Sequence, residues 1–355
     1  MEPPLTVETQ AAVLFELGEP LRVIQLSIPP LKPGQLLVDI AYSGICHTQL
    51  LEARGKRGED RFLPHTLGHE GSGTVLETGP GVGKVKPGDR VVLSWIKGSG
   101  ADVPSTVYGS AQGSINSGAM STFMLQTVTC ENRVTRIPDD VPLREGALLG
   151  CAFPTGAGVV FNTAQVEKEN SVAIFGVGGI GLSAVLAAAL ADASQVIAVD
   201  VLDHKLELAR RAGATHVVNA RTQDPLASIL EVTHGRGVDY SIEAAGKQSS
   251  MALAFRCVRE NGGLCVIAGN LPFGEMLSLD PMELIRGKRI VGTWGGETVP
   301  DRDIPRYAEL CLAGKLRAEQ LVTHEYSLDD VNRGLEDLEA GGVGRGLICM
   351  TDDSP

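Results

Sequence analysis

One stretch constrains the fold more than any other: SVAIFGVGGIGLSAVLAAALADASQVIAVD, from Ser171 to Asp200. Val172 to Phe175 is a short apolar run of the kind a buried parallel strand shows. It leads into Gly176-Val177-Gly178-Gly179-Ile180-Gly181, which fits G-x-G-x-x-G. In that pattern the first glycine allows a sharp turn, the second lets a pyrophosphate approach the backbone, and the third lets the next helix sit close to the strand. The helix predicted from Gly179 to Leu190 offers its N-terminal amides and positive dipole end to phosphates. Gly176, Gly178, Gly179, Ile180 and Gly181 are therefore the predicted coenzyme-binding turn. A second apolar strand, Gln195 to Val199, ends in Asp200, 24 residues after Gly176. Its carboxylate is placed to accept from an adenine-ribose 2′-OH and to repel a 2′-phosphate. Val201 follows rather than an arginine, so the expected coenzyme is NAD(H) rather than NADP(H). The glycine pattern alone is weak, but here two strands, a helix and the acid occur in register.

The rest of the chain is organised around that unit. Residues 1 to about 150 read as mainly β, with strands expected at Ala11 to Phe15, Gln35 to Tyr42, Gly73 to Glu77, Arg90 to Ser94 and Phe123 to Thr127. This region has the rhythm of a closed or partly closed barrel, and Gly98 to Gly118 reads as a long polar loop. From about Pro154 to Trp294 helices and strands alternate, giving the six strands of a doubly wound parallel sheet. The tail is helical, and its last strand, Gly346 to Met350, is expected to return to the first domain. The predicted division is thus 1–153 with 295–355 for one domain and 154–294 for the other, with a cleft between them as the natural binding place.

Bulk properties exclude several functions. A net charge of −12 over 355 residues argues against nonspecific nucleic-acid binding and against docking on an anionic membrane. The N-terminus lacks a basic start and an apolar core, and the longest apolar stretch, Leu182 to Leu190, is too short to span a bilayer. A cytoplasmic protein is expected. Seven cysteines, none in a C-x-x-C pair, do not form a secreted disulfide framework. Cys257, Cys265, Cys311 and Cys349 sit in apolar runs and read as small core residues.

Three segments of the first domain carry borderline or soft metal ligands: Gly44-Ile45-Cys46-His47-Thr48, Leu67-Gly68-His69-Glu70-Gly71 and Leu149-Gly150-Cys151-Ala152. Two thiolates and an imidazole suit zinc, and three protein ligands leave the fourth tetrahedral position open. From spacing alone the set is one candidate beside ordinary core or surface cysteines and histidines.

The chain resembles a zinc-dependent alcohol dehydrogenase of the medium-chain dehydrogenase/reductase superfamily over almost its whole length. Gly68-His69-Glu70-Gly71-Ser72-Gly73, continuing to Gly79 and Val82, fits the signature G-H-E-x2-G-x5-G-x2-V. GICHT, GDRV (Gly88 to Val91), LLGC (Leu148 to Cys151) and the glycine turn follow in family order, and the similarity looks closest to the class III and aryl-alcohol branch. The resemblance implies a GroES-like catalytic domain, a Rossmann coenzyme domain, and Cys46, His69 and Cys151 as zinc ligands. It implies Glu70 as a carboxylate that approaches the metal transiently, the alternative being a buried acid paired with an arginine. It implies Thr48 as the hydroxyl that hydrogen-bonds the alcohol and passes its proton on. His47 and Arg345 would face the coenzyme pyrophosphate and Lys205 the coenzyme ribose, each with a solvated surface charge as the alternative. Trp95 falls at a bulky pocket position or in plain core, and Trp294 reads as core. The implied reaction is reversible hydride transfer between a primary or secondary alcohol and NAD⁺, giving an aldehyde or ketone. The implied assembly is a homodimer joined at the coenzyme-domain sheet edge, with tetramers also occurring. Two other readings are a zinc-free quinone or enone reductase of the same superfamily, which lacks the Cys/His/Cys set, and a non-catalytic nucleotide-binding module.

The sequence also departs from the family. The lobe that holds four cysteines and a structural zinc in many relatives reads Ile96-Lys97-Gly98-Ser99-Gly100-Ala101-Asp102-Val103-Pro104, without cysteine. One zinc per chain is expected. Gln49 stands where most relatives have an aspartate that hydrogen-bonds the ligand histidine, and the amide is expected to accept that bond without a charge. Leu51 replaces a histidine that ends the proton relay in some members.

Overall fold

The computed structural model describes residues 7–118 and 120–350. The chain divides into two compact units: Met1–Cys151 with Val299–Leu312 and Val322–Pro355, and Ala152–Thr298 with Ala313–Leu321.

The first unit is built on strands β1 (Glu8–Leu14), β2 (Arg22–Ser27), β3 (Gln35–Ile45), β4 (His65–Thr66), β5 (Glu70–Thr78), β6 (Arg90–Ser94), β7 (Val107–Ser110), β8 (Gly113–Asn116), β9 (Gln126–Cys130) and β10 (Val134–Arg136). Helix α1 (His47–Ala53) leaves the end of β3, and α2 (Leu143–Leu148) precedes Cys151. Strands β1, β2, β7, β8 and β4 close a barrel. Apolar residues alternate inward from its staves, with Ala11, Val13, Leu26, Tyr108, Ile115 and Met124 in one core.

The second unit opens with α3 (Ala152–Gly158) and continues with β11 (Ser171–Phe175), α4 (Gly179–Leu190), β12 (Gln195–Asp200), α5 (Asp203–Arg211), β13 (His216–Asn219), α6 (Pro225–Val232), β14 (Tyr240–Glu243), α7 (Gln248–Cys257), β15 (Leu264–Ile267), α8 (Pro281–Ile285) and β16 (Arg289–Gly292). Its sheet is parallel, in the order β13-β12-β11-β14-β15-β16. Strand β11 is buried along its whole length, as a strand covered by helices on both faces must be. Two helices start alike: Asp224 accepts from the N–H groups of Leu226 and Ala227, Asp280 from that of Met282, and a proline follows each. Each such cap is worth about 1 kcal/mol.

The chain then adds α9 (Pro300–Leu312), β17 (Val322–Ser327), α10 (Val331–Glu339) and β18 (Arg345–Cys349) to the first unit. As expected, the last strand joins the first unit: β18 pairs antiparallel with β3 and parallel with β17, in a sheet of order β10-β6-β5-β3-β18-β17 to which β9 adds through β3. The fold is a GroES-like barrel unit with a Rossmann-type parallel sheet.

Three expectations are corrected. Gly98 to Gly118 is not all loop, because β7 and β8 form a hairpin with Tyr108 opposite Ile115. Each of its strands buries only one side chain, so no alternation was long enough to read. The strand expected at Phe123 to Thr127 begins later, at Gln126. Trp294 is not core: it is 78 % exposed, just beyond β16, the edge strand of the parallel sheet.

Candidate active site and metal centre

The end of β3 and the start of α1 place Cys46, which is the N-cap of the helix. His69 precedes β5, and its carbonyl accepts from the Trp95 N–H at 3.1 Å. Cys151 follows α2, where Ser94 Oγ donates to the Gly150 carbonyl at 2.7 Å. These three segments converge. The ligand atoms of Cys46, His69 and Cys151 lie within 4.8 Å of one another, and His69 Nε2 is 3.2 Å from Cys151 Sγ. Both cysteines are buried and His69 is half-buried. The Cys46 thiol is held well below the ordinary thiol range: its hydrogen bond with Cys151 lowers it most, burial opposes, and His69 and the charge of Arg345 lower it further. Two cysteine sulfurs, that of Cys46 poised to ionise, beside an imidazole form a donor set that suits zinc.

Glu70, the first residue of β5, is fully buried, and its carboxylate pairs with the guanidinium of Arg345. Its carbonyl is held by Ser43 Oγ at 3.0 Å and Thr122 Oγ1 at 2.9 Å. Arg345 is therefore no solvated surface charge. It is 4 % exposed at the head of β18, and burial lowers its pKa while Cys46 raises it. The pairing of buried acid with arginine that the sequence left as an alternative for Glu70 is present. His47 lies exposed on α1, Thr48 is half-buried and Leu51 is buried. Trp95 is half-buried, its carbonyl accepting from Arg133.

Gln49 does not hold His69. Its Oε1 accepts from the backbone N–H of Cys46 at 2.6 Å, and its buried Nε2 has no hydrogen-bond partner among the described residues. The spacing C-x-x-Q, that of a capping box, carried this signal in the sequence. A cysteine in place of the usual N-cap residue hid it.

The cysteine-free lobe is held by carboxylates. Glu131 Oε1 accepts from the N–H groups of Gly83 and Lys84, both at 2.7 Å, and its Oε2 from Ala101 at 3.0 Å. Asp301 accepts from the Ser99 N–H at 2.6 Å and pairs with Lys84. A second group of possible ligand type, Glu52, Asp60 and His65, also lies within 4.8 Å. Its imidazole is already engaged, by Asp60 at 2.8 Å and by the Thr66 carbonyl at 2.9 Å.

In the second unit the glycine turn runs from β11 into α4. Gly176 has φ +83°, and a Cβ there would lie 2.6 Å from that of Ala245. At Gly181 a Cβ would strike the Gly176 carbonyl, whereas at Gly178 it would meet nothing within 4 Å. Packing thus demands two of the glycines and leaves open space at the third, over the first amides of α4, where the backbone is available to a phosphate. Asp200 Oδ2 accepts from the Val177 N–H at 2.9 Å, and Oδ1 from Val201 at 2.7 Å and Leu202 at 3.1 Å. The carboxylate that ends β12 is thereby tied to the turn itself. Lys205 is half-buried on α5.

Comparison with known proteins agrees with this arrangement. Residues 179–313 match the family described as zinc-binding dehydrogenase, and residues 32–139 match the alcohol dehydrogenase GroES-like domain. The chain is 33 % identical to an S-(hydroxymethyl)glutathione dehydrogenase of Synechocystis, over 96 % of this chain and 100 % of that one. The benzyl alcohol dehydrogenase structure from Acinetobacter calcoaceticus is 30 % identical with a TM-score of 0.88, covering 97 % of this chain and 100 % of that one. A structure described as a zinc-binding dehydrogenase of Sinorhizobium meliloti 1021, solved with NADP, is 27 % identical with a TM-score of 0.81, covering 97 % and 100 %. The chain belongs to the zinc-dependent alcohol dehydrogenases of the medium-chain dehydrogenase/reductase superfamily, oxidoreductases that act on CH–OH groups and use a nicotinamide coenzyme.

Proposed function

We propose that the protein oxidises a primary or secondary alcohol with NAD⁺, reversibly, at one zinc per chain held by Cys46, His69 and Cys151. The observation that carries this reading is the convergence of those three ligand atoms within 4.8 Å. Zinc bound there would supply Lewis-acid polarisation of the alcohol oxygen, and a nicotinamide coenzyme would supply the hydride acceptor. Thr48 accepts the hydroxyl proton and passes it on. Leu51 is buried and cannot carry a proton further. Glu70 pairs with Arg345 in a buried place and stands ready as the carboxylate beside the metal. Gly176 to Gly181 hold the pyrophosphate at the first amides of α4. Asp200 accepts from the adenosine ribose, assisted by Lys205. A 2′-phosphate would meet the Asp200 charge, so NAD(H) is favoured over NADP(H). The lobe at residues 96–104 takes no second zinc, because Glu131 and Asp301 do the holding.

The assembly proposed is a homodimer through the edge of the parallel sheet. Phe273, Met276, Ile285 and Trp294, close in sequence to β16, are all at least three-quarters exposed, more apolar surface than a monomer usually shows. A reducing, cytoplasmic setting fits seven free cysteines. No helix among the described residues is long and apolar enough to cross a membrane.

Initial rates on a panel of alcohols, with benzyl alcohol and S-(hydroxymethyl)glutathione first, test the reading. The expected result is chelator-sensitive oxidation with NAD⁺ at least tenfold better than NADP⁺ in kcat/KM. Undiminished turnover after removal of zinc, or preference for NADP⁺, would sink it.

A further inference from the structure

Gln49 is 1 % exposed at the third position of α1, and its Oε1 is fixed on the Cys46 N–H at 2.6 Å. Cys46 differs from an ordinary N-cap residue, because the same sulfur that faces the Gln49 backbone N–H in the capping box is also directed to His69 and Cys151. The Gln49 amide is the reciprocal half of that box, and it accepts from the Cys46 N–H. That amide is held at a cost: its Nε2 is buried with no hydrogen-bond partner. A methionine would remove the orphaned donor and lose the acceptor. A glutamate would keep the acceptor and add a negative charge beside Cys46, whose thiol is already poised to ionise. An aspartate is one methylene shorter than the side chain that spans to Cys46. Glutamine is the neutral acceptor of the required length.

We propose that Gln49 is a positioning residue of the metal site and acts through Cys46, not through His69. By holding the Cys46 N–H it fixes the direction of the Cα–Cβ bond, and so the place of Sγ relative to the other two donors. This rests on the reading of the three donors as a zinc site.

The test compares holoenzyme of the wild type with Gln49→Met, Gln49→Glu and Gln49→Asp. Zinc release to a chromogenic chelator is timed, and the thiolate-to-metal charge-transfer absorption is recorded after replacement by Co²⁺. The Met and Asp variants are expected to release zinc about 10- to 100-fold faster, with a displaced charge-transfer band, and the Glu variant to stay within about threefold of wild type. If the Met variant does not fold, the Asp and Glu variants decide: fast release from Asp and slow release from Glu support the proposal, and equal rates overturn it. Wild-type behaviour of the Met variant, or zinc retention by the Asp variant through His69, also overturns it. A wild-type protein that holds no zinc would instead remove the metal reading itself, an outcome distinct from zinc bound but indifferent to residue 49.

Discussion

The glycine turn and the three candidate metal donors are built in opposite ways. The turn is local: strand, glycines, helix and acid follow one another between Ser171 and Asp200, and Asp200 even hydrogen-bonds back to Val177. The donors come from three separate segments, at residues 46, 69 and 151, and meet only because β3, β5 and the end of α2 share one unit. A local site is secured by its own backbone. A convergent one depends on whatever fixes each segment: the Gln49 amide for Cys46, the Trp95 N–H for His69, the Ser94 hydroxyl for Gly150 beside Cys151.

Two glycines of the turn break the comparison if they behave alike. Gly181→Ala puts a methyl into the Gly176 carbonyl and is expected to destabilise the coenzyme unit by about 1–3 kcal/mol, seen as a lowered melting temperature. Gly178→Ala meets no protein atom, so its melting temperature should stay near wild type while the KM for NAD⁺ rises about tenfold, or ~1.4 kcal/mol of binding. Equal losses of stability would mean that Gly178 is a packing residue and not a coenzyme residue.

The lobe around residues 96–104 sharpens the contrast, since it converges without a metal. Burial pushes the Glu131 carboxyl up, but the N–H groups of Ala101, Gly83 and Lys84 and the Lys84 charge outweigh it and leave the pKa below its ordinary value. Asp301 is lowered in the same manner, burial being outweighed by Lys84 and Ser99. A carboxylate whose folded pKa is depressed adds stability that is complete above its unfolded pKa and is lost as pH falls through the folded one. The lobe should therefore loosen below about pH 4.5, measured as faster amide exchange at Gly83, Lys84 and Ala101. Glu131→Gln is expected to cost about 1–3 kcal/mol at neutral pH, because an amide cannot accept on both sides, and to flatten this acid sensitivity. Acid loosening of equal size in that variant would count against the clamp.

How much was legible in the sequence follows the same division. The glycine turn and all six parallel strands were readable, because buried parallel strands are continuous apolar runs and their helices are punctuated by Gly, Asp and Pro. The barrel was readable only in outline. Strands such as β7 and β8 bury one residue each, and the polar β17, Val322–Ser327, gives no apolar run. Spacing alone left Cys46, His69 and Cys151 open, and the family resemblance supplied their roles. The resemblance puts the Gln49 amide on His69, whereas in the fold it accepts from the Cys46 N–H across a C-x-x-Q capping box. Trp294 was read as core from its apolarity, yet it lies beyond an edge strand.

The central claim is that zinc sits on two sulfurs and one imidazole nitrogen of this chain. X-ray absorption at the zinc edge of the purified protein tests it most directly. The account predicts one zinc per chain with two sulfurs at about 2.3 Å and nitrogen or oxygen at about 2.0–2.1 Å, the sulfur contribution halving in Cys151→Ser. Zinc bound by nitrogen and oxygen alone, or by four sulfurs, or unchanged in Cys151→Ser, would contradict it.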